Sequence, residues 1–160
     1  SEPMAGEMRA GLQQTWRRIQ ERIAGTEFNF EFWSRCVPRR STYPACRAVI
    51  AARRQDPALD KAMTYAIQRA YYQEARNPSE RDTLIALAEE IGADGGVFAQ
   101  VLDAPETREE LSSEIVRSRR MGVDGFPSLV LARGGTSGWR VPVEYTDPRA
   151  MLDTVETLLS

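Results

Sequence analysis

Gly122-Val123-Asp124-Gly125-Phe126-Pro127-Ser128-Leu129-Val130 is the stretch on which the fold turns. A glycine turn, an apolar residue and a proline stand directly before an apolar, partly β-branched run, 128–132. Proline is tolerated at the head of a strand, where its missing N–H removes no ladder bond. The run is therefore read as a strand. Local physics leaves the Phe126–Pro127 bond open between trans and cis, and cis is adopted only where a structure requires it.

The chain downstream completes a hairpin. Gly134-Gly135-Thr136-Ser137-Gly138 is a flexible turn, and Trp139 to Val143 reads as the partner strand. Asp147-Pro148 then opens a last helix carrying Leu152, Val155 and Leu159. Upstream the pattern is helical. Met4, Met8, Leu12, Trp16, Ile19 and Ile23 form one stripe, and Gly25 ends it. Phe28 to Trp33 alternates briefly, as a short strand or, better, a buried aromatic loop. A second helix starts near Thr42 or Tyr43, with Pro44 in its first turn and Ala45, Ala48, Val49 and Ala52 inside. Asp56-Pro57 opens a third, which Asn77-Pro78 breaks. Ser79-Glu80-Arg81-Asp82 resembles a capping box for a fourth, closed by Gly92. A short helix from Asp94 to Leu102 follows, then one from Pro105 to about Met121 with Leu111 and Ile115 buried.

With these surroundings, the 122–130 segment resembles the cis-proline loop of DsbA-like thioredoxin-fold proteins. Pro38-Arg39-Arg40-Ser41-Thr42-Tyr43-Pro44-Ala45-Cys46-Arg47-Ala48 is similar to the start of their inserted helical domain, in the branch of predicted protein-disulfide isomerases. The resemblance implies an α+β, mostly helical fold: a helical domain over 1–121 and the C-terminal ββα part of a thioredoxin-like domain over 122–160. It implies thiol–disulfide exchange through a mixed disulfide. Gly125, Phe126 and Pro127 would form the substrate-facing loop, and Cys46 and Arg47 would line the cleft. A thiol or disulfide substrate protein, or glutathione, is the expected partner, with no other cofactor.

The family's CxxC is not here. Only Cys36 and Cys46 occur, with nine residues between them. Nor is there a candidate for the first β-α-β unit, which takes about 30 residues or more. That unit is expected to lie outside these 160 residues, so the chain is read as an inactive fragment of its family. The two cysteines read as thiols, the alternative being a disulfide between them, which needs the loop to fold back, or attack by one of them on the absent CxxC. The alternatives are a glutathione-dependent isomerase or transferase of the same superfamily, and a non-catalytic helical binding module.

Composition narrows the rest. At 42% apolar and 28% charged the chain reads as a soluble globular protein. There is no histidine, so Ser-His-Asp triads and His-containing metal sites are excluded, and no metal is expected. A net charge of −2 argues against nucleic acid. No apolar run approaches a membrane span, and the default location is the cytoplasm. Residues 32–55 carry six arginines and no acid. They are either a solvated face paired with Glu and Asp of adjacent helices, or an anion site at a helix N-terminus, where Arg39, Arg40 and Arg47 would hold a carboxylate such as those of glutathione. Tyr65, Tyr71 and Tyr72 read as core and rim. Arg117, Arg119 and Arg120 match Glu106, Glu109, Glu110 and Glu114 as i,i+4 pairs. A lone hairpin is marginal in water, which predicts a homodimer by strand or helix exchange.

Overall fold

The computed structural model describes residues 2–132 and 138–160. Eight helices and two strands occur among the described residues, so the chain is mostly helical. It divides into two compact units, Ser1–Arg108 and Glu109–Ser160. The division falls within a helix, upstream of the 121/122 boundary expected from sequence.

In the first unit, α1 (Gly6–Arg22) is followed by a single turn, α2 (Phe32–Arg35), then α3 (Tyr43–Gln55), α4 (Leu59–Tyr72), α5 (Arg81–Glu90) and α6 (Gly95–Asp103). Helix α3 packs against α4, α5 and α6. Its buried face is Ala48, Ile50, Ala51 and Ala52, and such small side chains allow helix axes to approach closely. Those alanines meet Met63 and Ala70 of α4, Leu84, Leu87 and Ala88 of α5, and Phe98 and Leu102 of α6. The expected inward face is shifted, since Ala45 and Val49 are only half-buried.

A second core is aromatic. Trp16 of α1 is 3% exposed and lies within ring-contact distance of Phe28, Phe30, Phe32, Trp33, Tyr71 and Tyr72. The alternating aromatics do not make a strand. Asn29 Oδ1 accepts from the Glu31 N–H at 3.0 Å, an Asx turn that bends the chain, and Phe32 N–H reaches Asn29 O at 3.2 Å. The backbone therefore coils into α2 and turns its rings inward around Trp16. Tyr71 belongs to this core, whereas Tyr65 stands on the surface.

The capping box expected at 79–82 does not form. Helix α5 has no side-chain cap bond. Asn77, 3% exposed, replaces it: its Oδ1 accepts from Ser79 N–H at 3.1 Å, and its Nδ2 donates to Val37 O and Glu80 Oε1, both at 3.0 Å. Pro78 has no N–H to offer, so the chain turns on Asn77 instead.

The second unit takes in most of α7 (Pro105–Arg120), β1 (Leu129–Ala132), β2 (Gly138–Val141) and α8 (Pro148–Leu159). The strands are antiparallel, pairing Leu129 with Val141 and Leu131 with Trp139. The expected turn residues 134–137 lie outside the described residues. Pro142 follows β2 and cannot continue the ladder, so the strand ends before the expected Val143. Asp147 caps α8 by accepting from Arg149 N–H at 3.0 Å. Helix α8 packs against β2, but Leu152 and Leu159 stay exposed and Val155 is half-buried.

Candidate functional site

The loop between α7 and β1 is shaped from both ends. Gly122, at φ +79°, ends α7. Its N–H reaches Arg119 O at 3.0 Å, and Val123 N–H reaches Ser118 O at 3.0 Å. This is the paired bonding of a Schellman turn, which favours glycine because a Cβ strains the left-handed conformation. On the far side, Ser128 Oγ donates to Gly125 O at 2.6 Å. Arg140 of β2 holds Asp124 Oδ1 at 2.8 Å, tying the loop to the hairpin.

Between these anchors sit Gly125, Phe126 and Pro127, all exposed, with Phe126 at 93%. The Phe126–Pro127 peptide bond is cis. Three of the five site residues read from sequence thus share one short loop. A bare aromatic side chain there can contact an apolar partner surface, and the backbone around Gly125 is open, with nothing near the position a Cβ would take.

Cys46 and Arg47 belong to the first unit, on the opening turns of α3. Pro44 stands in the first turn of that helix, and Thr42 makes no side-chain cap bond. Cys46 N–H closes the turn onto Thr42 O at 3.1 Å. Arg47 is half-buried, and its Nε is buried with no hydrogen-bond partner. A buried guanidinium N–H without an acceptor is costly, and an anion would satisfy it.

The segment leading into α3 is gripped from two directions. Residues 2–4 lie antiparallel to it, through a bridge between Pro3 and Arg39 and a Met4 N–H to Pro38 O bond of 2.8 Å. Asn77 holds Val37 O from the other direction. Neither contact was legible in sequence: backbone pairing of three residues leaves no periodicity, and the neighbouring Ser-x-x-Asp pattern obscured Asn77. Within the arginine-rich stretch, Arg35 pairs with Glu31 at 2.8 Å and Arg53 with Asp60 at 3.3 Å. Part of it is therefore the paired face that was one of the two readings.

Cys36 and Cys46 are both thiols. Cys36 Sγ donates to Ala75 O at 3.2 Å. Burial pushes its pKa up, the nearby Glu80 carboxylate adds to this, and Arg35 opposes both. Such a thiol is the reverse of an activated nucleophile. No group of three or more acidic, cysteine or histidine residues suited to a metal ion occurs among the described residues. No helix among them is long and apolar enough to cross a membrane.

The family model described as DSBA-like thioredoxin domain matches residues 3–145. No curated protein matches the chain in sequence. Among solved structures, the chain is similar to a "putative protein disulfide isomerase" from Nitrosomonas europaea, with 26% identity and a TM-score of 0.84 over 99% of this chain and 77% of that one. It is also similar to the cytosolic disulfide reductase DsbM from Pseudomonas aeruginosa, with 27% identity and a TM-score of 0.76 over 99% and 78% of the two chains. The same reductase with GSH matches at 26% identity and a TM-score of 0.74, over 99% and 79%.

Proposed function

The chain belongs to the DSBA-like thioredoxin domain family, and from that premise we propose that it supplies the substrate-facing loop and the helical domain of a thiol–disulfide exchange protein without carrying the redox pair. The observation that carries this reading is the exposed Gly125-Phe126-Pro127 loop at the head of β1, in a sequence with no CxxC. Exchange needs a thiolate to attack one sulfur of a disulfide, forming one S–S bond as another breaks and a thiolate leaves. A second thiol must then resolve the mixed disulfide. Cys36 and Cys46 do not form a vicinal pair, so these residues alone do not complete the cycle.

The test is reduction of insulin by dithiothreitol, followed by turbidity. The chain is expected to leave the rate at that of the buffer. Acceleration abolished by Cys46→Ser would overturn the reading, because it would place a working nucleophile inside these residues.

Glutathione is the favoured small-molecule partner, with Arg47 holding a carboxylate and Cys46 beside it. Two points support this: the unsatisfied Nε of Arg47, and the glutathione present with the similar P. aeruginosa reductase. Calorimetry is expected to detect glutathione binding that Arg47→Ala abolishes. Equal binding by both forms would remove Arg47 from the site. The cytosol, where that reductase works, is the proposed location.

A further inference from the structure

The last turn of α7 carries Arg117, Arg119 and Arg120. The i,i+4 pairs expected for them do not form, because four residues back from each stand Ser113, Ile115 and Val116, none of them acidic. Among the described residues the three guanidiniums have no ion-pair or hydrogen-bond partner. Arg117 and Arg120 line a hollow of about 370 Å³ along the helix flank, together with Ser112, Ser113 and Val116. Ser118 of the same helix and Thr154 of α8 donate their hydroxyls to the carbonyl four residues back. Ser112 and Ser113 make no such bond among the described residues, so their hydroxyls are open to a ligand.

Every polar side chain in these walls can donate and none is acidic, so the hollow suits an acceptor that carries negative charge. The helix dipole favours cations at this turn, but it uses none of their N–H donors. The hollow is too long for one small anion, since Ser112 to Arg120 spans about 12 Å of helix. An extended polypeptide sets alternate side chains about 7 Å apart on one side, so two carboxylates separated by one residue can meet the two guanidiniums. The same turn leads directly into the substrate-facing loop. The Gly122 and Val123 N–H groups fold back onto the carbonyls of Arg119 and Ser118. Phe126 lies six residues beyond Arg120, at most about 20 Å of chain.

We propose that this hollow binds an acidic stretch of the substrate polypeptide, within about six residues of the part held at Gly125-Phe126-Pro127. The proposal rests on the role proposed for that loop, and it names the substrate class: disulfide proteins with Asp or Glu close to the reacting cysteine. A basic flank would meet three like charges. Arg117 and Arg120 are then specificity residues, which touch the flank of the substrate and not its sulfurs. Their contacts face solvent, so binding weakens as salt is raised.

The test is an amide NMR titration of the isotope-labelled chain with the end-blocked peptide Glu-Ala-Glu-Ala-Val-Ser-Val, where serine replaces cysteine to prevent exchange. Counterparts with glutamine or lysine for glutamate, glutathione, and inorganic phosphate are titrated alongside. The acidic peptide is expected to shift amides in 112–120 and 124–127 together, and the glutamine and lysine forms none in 112–120. Arg117→Gln and Arg120→Gln, both exposed and both compatible with a helix, should each weaken the acidic peptide by about threefold to fivefold, the worth of one solvent-facing charge pair. Arg22→Gln, at the matching end of α1, should not. Shifts at 124–127 by all three peptides alike, with 112–120 silent, would overturn the proposal and leave the loop reading standing, whereas no shifts from any peptide would count against both. Shifts at 112–120 alone, an affinity unmoved by salt, or variants that bind as the native chain does would also overturn it. Glutathione or phosphate shifting 112–120 as strongly as the peptide would assign the hollow to a small anion and overturn it as well.

Discussion

Two residues, Cys36 and Trp16, show how identity and surroundings combine. Cys36 is a thiol in a sequence whose family relies on thiolates, yet burial and Glu80 push its pKa up. A raised pKa means less thiolate at neutral pH. In a Cys46→Ser background, Cys36 is expected to react with iodoacetamide more slowly than an unperturbed cysteine at pH 7, with the rate profile displaced to higher pH. Glu80→Gln keeps an acceptor for Asn77 but removes the charge, and should move that profile back toward neutrality. An unchanged profile would remove Glu80 as a cause. The same shift has a stability consequence. With the folded pKa above the unfolded one, the contribution of Cys36 is complete below the unfolded value, and is lost as pH rises through the folded value. Trp16 owes its importance to number of neighbours: six rings surround it. Trp16→Ala should destabilise the first unit by about 3–5 kcal/mol, as for other large core aromatics, and Trp16→Phe by less, both measured by urea unfolding. That Trp16 faces inward was legible from its stripe. Which rings it meets was not, because that depends on the turn made at Asn29.

Elements show the same division. The ends of α5 and α7 were legible because the signal is local: Gly92 and Gly122 each stand at positive φ, where the following N–H closes a six-residue loop onto Ala88 O or Ser118 O. The start of α5 departs from the expected cap because its organising residue, Asn77, precedes that cap and acts partly at a distance. Asn77 bonds Val37, forty residues away in sequence, as well as its own turn. Asn77→Ala would remove the side-chain bonds to the Val37 carbonyl and the Ser79 N–H, and should cost about 1 kcal/mol for each bond lost. Hydrogen exchange should also quicken at 37–40 more than in the centres of α3 and α4. Uniform quickening would show that Asn77 supports the unit generally and not this segment. Helix α2 was hidden for a related reason: four residues are too few for any periodic signal, and alternation is shared by strands and by aromatic loops.

For the whole molecule, the hairpin of the second unit raises the question of association. Two strands pair only with each other among the described residues, and Leu129, Trp139, Leu152 and Leu159 remain substantially exposed. Strand edges of this kind are templates for pairing with another chain. We propose that the chain forms a homodimer through this unit. Light scattering should show a concentration-dependent rise toward twice the monomer mass, and Leu129→Lys should suppress it. A monomer throughout the millimolar range would refute this. The family was legible from the order of two motifs separated by helices, whereas division of the chain near Arg108 was not, since one continuous helix crosses it without any break in composition. The placement of the three tryptophans adds a practical consequence. Trp16 and Trp33 are buried in the first unit, and Trp139 is half in solvent in the second. The intrinsic emission of the protein therefore has a blue component that reports on one unit and a quenchable red component that reports on the other. Acrylamide should extinguish the red component first, so the melting of each unit can be followed separately in a single unlabelled sample.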